Sequence, residues 1–232
     1  MMGLIGQLRA GKAWAFPDGV KPWILAMLML AALLYLGLKV GQSDFTPLIS
    51  LYSFLFLAYL WVFRTTKETD LGFWLLVAII LRLSLVFLFP LLSDDVYRFI
   101  WDGQLVINGY NPFNYLPTTL INEGPVVPGL DRELYEALNS PDYFTIYPPI
   151  AQATFAVATF LFPNSLYGAA VVMKLFLFAF EIGSLILIVQ LLLHWNLPLK
   201  NSLLYALNPL IIIEVVAFGL ISHPTKQIIH TG

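Results

Sequence analysis

Apolar residues run along this chain in long unbroken stretches, separated by short polar segments and by one long one. Crossing the hydrocarbon core of a bilayer as a helix takes about 18 or more predominantly apolar residues. On that basis the pattern predicts spans at 23–40, 47–63, 71–92, 149–162, 169–193 and 203–220. The fourth is trimmed at both ends by Pro148, Pro149 and Pro163, and Asn208 followed by Pro209 predicts a break or kink in the sixth. Because the runs are continuous rather than alternating, barrel strands are not expected. The predicted fold class is all-α integral membrane, with about six transmembrane helices and one long extracytoplasmic loop carrying short interfacial helices. The first apolar run is too long for a cleavable signal peptide, and no small-residue cleavage motif follows it, so it reads as the first anchor.

Composition agrees with this. The chain is 59% hydrophobic and only 11% charged, with a mean hydropathy of +0.80, whereas a soluble domain carries about a quarter charged residues. The net charge of −2 by itself argues neither for nor against nucleic acid, but no basic stripe exists to neutralise phosphates, and no nucleic-acid partner is expected. With no cysteine in the sequence, disulfides, thiolate metal sites and thiol nucleophiles are excluded. Aromatic residues, at 15%, suit helix ends anchored at a membrane interface.

The bias of Lys and Arg in short loops sets orientation. Arg9, Lys12 and Lys21 precede the first span, and Arg64 and Lys67 lie between the second and third. If every span crosses, these segments share one side, which is then cytoplasmic, although Lys39 and Lys200 fall on the other. The predicted localisation is the plasma (inner) membrane, multi-pass, with the N-terminus cytoplasmic. A single membrane domain over 1–232 is expected, divided into three N-terminal spans (1–92), an outer loop (93–147), three further spans (148–220) and a polar tail (221–232).

The outer loop concentrates charge. Asp94, Asp95, Asp102, Glu123, Asp131, Glu133, Glu136 and Asp142 are eight of the fourteen acids, against only Arg98 and Arg132. Local structure alone accounts for the densest part. Ser93 before two Asp residues is an N-cap with acids in the first helical turn, and Asp94–Arg98 and Arg98–Asp102 are i,i+4 pairs. Val96, Phe99 and Ile100 then give the helix an apolar side suited to the bilayer surface. The aromatic company of Trp101, Tyr110, Tyr115 and Tyr147 adds a second expectation. Aromatic faces stack on the C–H faces of sugars and carboxylates accept from hydroxyls, although an aromatic belt accounts equally for any one ring. Asn111-Pro112 and Tyr147-Pro148-Pro149 are turn signals that fold the loop back toward the membrane.

The strings SDDVYRFIWDGQLVINGYNPFNYLP and IYPPIAQ, within residues 91–214, resemble the first large outer loop of bacterial GT-C glycosyltransferases similar to polyprenyl-phosphate-mannose-dependent mannosyltransferases. The resemblance implies transfer of mannose or another hexose, with inversion, from a polyprenyl-phosphate carrier to an extracytoplasmic hydroxyl of a glycan or lipid acceptor. It implies a catalytic general base at Asp94 or Asp95, without fixing which. Arg98, Trp101, Asp102, Asn111, Tyr147 and Arg82 are the expected substrate-binding residues, with Arg98 as a fork able to grip two phosphate oxygens. No Gly-rich phosphate loop for a nucleotide sugar is present. Asp94 and Asp95 are also oxygen donors of the kind that Mg²⁺ or Mn²⁺ takes, but no metal site is firmly expected.

Arg82, Lys174, Glu181 and Glu214 lie within predicted spans, where charges face a polar cavity or one another. They offer either auxiliary cations for the lipid phosphate or interhelical pairing, with Glu181 expected to pair to Lys174 or Arg82. They also support an alternative, a transporter or lipid flippase with polar groups near the midplane. A non-catalytic membrane subunit is a third. His194, His223 and His230 show no ligand geometry. The abruptly polar segment after residue 219 predicts that the chain is the N-terminal part of a longer transferase.

Overall fold

The computed structural model describes residues 16–41, 43–88 and 95–217, with 214–217 described by backbone only. Every regular element among the described residues is helical, which satisfies each backbone group within its own segment, as lipid requires. The first helices are α1 (Lys21–Lys39), α2 (Phe45–Thr65) and α3 (Leu71–Val86), the last entered through the 3-10 turn Glu68–Asp70. Then follow α4 (Asp95–Ile107), α5 (Pro117–Glu123), α6 (Arg132–Glu136), α7 (Pro149–Leu161) and α8 (Leu166–His194). The short α9 (Leu203–Ala206) and α10 (Pro209–Ala217) end the described chain.

Among the described residues, four helices are long and apolar enough to cross a membrane: α1, α2, α3 with its entry turn, and α8. The protein is thus an all-α membrane protein, as the apolar runs predict. The expected fourth span is the 13-residue α7, about 20 Å long at 1.5 Å per residue. The expected sixth divides into α9 and α10 at Asn208-Pro209.

The described chain forms two compact units, residues up to 88 with 177–217, and residues 95–176. In the first, α1 buries a single stripe, Met29, Leu33 and Leu36, and α2 buries Leu55, Tyr59 and Val62. Their other faces expose apolar side chains such as Leu28, Tyr35 and Leu57, suited to hydrocarbon. The central helix is α3, buried from Leu71 to Val86 on most sides, Arg82 included.

Arg82 is fully buried, and its guanidinium repairs the broken sixth span. Pro209 has no N–H to continue the helical ladder, and the Leu210 N–H turns to Asn208 Oδ1 at 3.0 Å. The Ala206 carbonyl, left without its usual helical donor, accepts from Arg82 Nη1 at 2.5 Å, and Tyr205 O accepts from Nη2 at 3.4 Å. The charge is met by Glu181 on α8, whose Oε2 lies 3.2 Å from Arg82 Nε and whose Oε1 accepts from the Tyr205 hydroxyl at 2.6 Å. Of the two partners expected for Glu181, Arg82 is thus the one observed. The Glu214 side chain and the segment 221–232 lie outside the described residues.

In the second unit, α4 packs along α7. Gly103 makes the approach possible: a Cβ there would sit 2.6 Å from the Phe155 carbonyl oxygen and 2.7 Å from Thr159 Oγ1. One turn earlier, the Phe99 and Phe155 rings stack at 4.5 Å between centroids. Trp101, Leu105, Leu120, Leu134 and Met173 belong to the same apolar core. The helix α4 is therefore covered on nearly every side by its own unit, since each residue from Phe99 to Leu105 is buried.

Candidate functional site

Asp95, Arg98 and Asp102 follow one stripe of α4, spaced so that they stack on successive turns. The segment 139–147 and α7 close over this stripe through side chains far away in sequence. Asp102 is fully buried and accepts three hydrogen bonds: from Arg98 Nε at 3.0 Å, Thr145 Oγ1 at 2.5 Å and Gln152 Nε2 at 2.9 Å. Gln152 also reaches Thr145 Oγ1 at 3.0 Å. Arg98, 3% exposed, donates from Nη1 to the carbonyls of Ser140 and Tyr143 at 3.2 and 3.0 Å. A buried carboxylate is tolerated only when paired and hydrogen-bonded, and this one has a cation and two neutral donors. The cluster ties α4, the segment 139–147 and α7 together.

Asp95 stands differently. It lies in the first turn of α4, where the helix dipole favours an anion, and it is half-buried. Its Oδ1 accepts from Asn139 Nδ2 at 2.6 Å, while Asn139 Oδ1 accepts from Ser140 Oγ at 2.9 Å. The Tyr147 ring packs edge-on against Phe99 at 4.8 Å and Phe155 at 5.6 Å. Burial pushes the Tyr147 phenol up to about 12; the Asp95 carboxylate adds to the rise, Arg98 opposes it and Asp102 adds a little more. Tyr147 is thus a neutral hydroxyl near the two carboxylates at any ordinary pH.

Several expected substrate contacts have structural occupations instead. Arg98 cannot grip a phosphate with both arms of its fork, because Nε and Nη1 already serve Asp102 and two carbonyls. Asp102 is sealed from solvent and holds the cluster. Trp101 presents no face to a sugar: it is fully buried, with Tyr135 at 6.2 Å between ring centroids. The Asn111 carboxamide caps the turn Pro112–Asn114 by accepting from the Phe113 N–H at 3.0 Å. Arg82 belongs to the first unit, where the helix break and Glu181 occupy it. Asp94 lies outside the described residues. Of the expected site residues, the structure brings together Asp95, Arg98, Asp102 and Tyr147 and leaves Asp95 and Tyr147 partly open.

Sequence reasoning missed Asn139, Thr145 and Gln152. Gln152 lies within the IYPPIAQ string, and a buried polar side chain on an otherwise apolar helix is a signal of a polar partner. Nothing local marks Asn139. Among the described residues no group of three or more His, Cys, Asp or Glu is arranged to hold a metal.

A model of the MptA_B family, described as alpha-(1->6)-mannopyranosyltransferase, N-terminal domain, matches residues 15–219. No curated protein and no solved structure matches the chain. The match reaches beyond the resemblance at 91–214 into the first three spans, and takes in α4, the segment over it and the broken sixth span. On that evidence the chain belongs to the MptA_B family of mannosyltransferases.

Proposed function

We propose that the chain forms the acceptor-activating part of an inverting GT-C mannosyltransferase that takes its sugar from a polyprenyl-phosphate carrier. The observation that carries this is the contrast between two carboxylates of one helix. Asp102 is walled in by Arg98, Thr145 and Gln152, whereas Asp95 accepts from Asn139 and keeps part of its surface open. A general base must reach the proton it removes, and Asp95 is placed for that while Asp102 is not.

In the proposed step, a carboxylate of the Asp94–Asp95 pair removes the acceptor hydroxyl proton. The oxygen attacks the sugar C1 from the face opposite the phosphate, and the C1–O bond breaks. Polyprenyl phosphate leaves with the electron pair, inverting the centre. The family name supports mannose as the sugar. Orientation follows the basic segments at 9–21 and 64–67, which put 93–147 outside the cytoplasm. The donor's tail stays in lipid and its phosphate at the interface. No step is assigned to a metal ion.

A transporter would use its midplane charges. Arg82 and Glu181 are instead bonded to each other and to the helix break, which favours the transferase. Mass spectrometry of the gently solubilised chain tests it, and should find a co-purifying polyprenyl-phosphate hexose. In membranes carrying the full chain, labelled mannose should pass from polyprenyl-phosphate mannose to a mannan oligosaccharide. Asp95→Asn should abolish that transfer while insertion stays intact; full transfer by this variant would remove Asp95 from the role.

A further inference from the structure

The face of α4 turned away from Asp95 borders a groove of about 1400 Å³ within the second unit. Tyr97, Ile100 and Gln104 supply the α4 side, spaced three and four residues apart on one helical face. The opposite walls are the α6 region and the turn 162–166. Gln104 fixes the floor. Its Nε2 donates to the Pro163 carbonyl at 3.2 Å, and its amide lies flat against Gly129, where a Cβ would come within 2.6 Å. Gly129 also has φ +80°, so both backbone conformation and space require glycine there.

Three properties of the groove select its occupant. Its volume exceeds the roughly 300–1,000 Å³ of sites for single small molecules, so the ligand is a chain of several units. The charged groups on its walls, Asp131, Glu133 and Glu136 against Arg132, are net acidic, and Arg132 is already shared among Glu136, Asn122 and the Tyr135 ring. A phosphate or other anion is therefore disfavoured, which sets the groove apart from any donor head-group site. The remaining wall chemistry mixes amides and a hydroxyl (Asn139, Asn164, Ser165) with aromatic rings (Tyr97, Phe162), suiting a neutral polyhydroxyl chain with alternating polar edges and C–H faces.

Asn139 connects this groove to the carboxylate. It lines the groove and donates to Asp95 at 2.6 Å. We infer that the groove is the binding site of the growing glycan acceptor, holding several sugar rings between the α6 region and the turn 162–166, with Asn139 at the boundary between the chain and Asp95. The inference rests on the transferase proposal for the identity of the glycan, but its binding site is testable without turnover.

The test uses the full chain in detergent and a linear α-(1→6)-linked mannotetraose carrying a photoreactive tag. Saturation-transfer NMR reads binding, and cross-linking with peptide mapping reads its place. Cross-links should fall in 129–139 and 162–166. Asn164→Trp and Glu133→Trp change exposed positions, so the fold tolerates them. Each fills the groove and should weaken binding by about tenfold or more, equivalent to some 1.4 kcal/mol. Asp95→Asn should leave mannotetraose binding intact. Unchanged binding in both Trp variants, cross-links elsewhere, or no binding by the wild-type chain overturns the groove assignment and leaves the role of Asp95 standing. Binding that is lost at high salt, or displaced by a lysine-rich peptide better than by mannotetraose, assigns the groove to a basic polypeptide and also overturns it. Intact glycan binding together with full transfer by Asp95→Asn would instead sink the catalytic proposal alone.

Discussion

Asp95 and Asp102 lie two turns apart on the same stripe of α4, yet only Asp102 is fully sealed from solvent. The two should therefore fail in opposite ways. Asp102→Ala strands the Arg98 guanidinium in a buried setting, and breaking such a pair costs about 3–5 kcal/mol. Thermal unfolding in detergent should show that loss. Asp95→Asn can keep the Asn139 contact and gives up a helix-dipole contribution of about 0.3–1 kcal/mol, so its melting temperature should fall far less than that of Asp102→Ala while transfer falls by about 10²–10⁴-fold. A stable Asp102→Ala protein would show that the cluster does not hold the helix.

Arg82 gives a second prediction. Its donors serve the Ala206 carbonyl and the Glu181 carboxylate, so Arg82→Leu should destabilise the first unit by about 3–5 kcal/mol. Arg82→Lys should rescue little, because an ammonium is a point charge and cannot span both acceptors as the planar fork does. Glycan binding measured on whatever folded fraction remains should be unaltered. Lower glycan affinity in that fraction would mean that Arg82 acts on the acceptor rather than on the fold.

Gly103 gives a third. Substitution by Ala puts a methyl group against the Phe155 backbone oxygen, which cannot move as a side-chain end can. Overpacking of this kind costs about 1–3 kcal/mol. Denaturant or thermal melts of Gly103→Ala and Gly103→Val should fall in that order. A neutral Val variant would mean that α4 and α7 do not pack this closely.

The Tyr147 phenol has its pKa raised from 10.0 to about 12. Between those values the unfolded chain has lost the proton that the folded one retains, so stability falls as pH rises through that window. Below pH 10 both states hold the proton and the group is silent. Other tyrosines titrate in the same range, so the difference between wild type and Tyr147→Phe isolates this ring. The variant should lose less stability from pH 10 to 12 than wild type. Parallel curves would mean that Tyr147 is not buried near Asp95.

Orientation is checked with single cysteines in this cysteine-free chain. Asn122 and Lys67 are both exposed, so reactivity reports side rather than burial. An impermeant thiol reagent should label Asn122→Cys in intact cells and Lys67→Cys only after permeabilisation. The reverse pattern would place 93–147 in the cytoplasm and remove the proposed lipid-linked donor chemistry.

The membrane helices were legible because an apolar run long enough to span has few alternatives in lipid. Proline gave their interruptions: Pro149 and Pro163 bracket α7, and Pro209 opens α10. Within the outer segment, the Arg98–Asp102 pair followed from i,i+4 spacing. What remained hidden is long-range. Asn139, Thr145 and Gln152 lie 43 to 50 residues from the acids they hold, and spacing along one helix carries no information about them. The burial of Trp101 is hidden for a related reason. A ring beside acids looks the same in sequence whether it faces a sugar or a core, and only α4's packing inside its own unit decides it.

The repaired helix break also imposes an order on biosynthesis. Arg82 is translated 99 residues before Glu181 and 124 before Ala206. At about 5–20 residues per second the ribosome needs roughly 6–25 s to make the later partner. During that interval the third span carries a guanidinium without these partners; the cost is about 2.5–3.5 kcal/mol for a charge at the centre of an inserting helix and less toward its end, where Arg82 lies. The leucine, isoleucine and valine residues around Arg82 have to outweigh that cost unaided until α8 and α9 arrive. Early commitment of this helix to the bilayer thus rests on its own composition, and its final position on residues not yet made.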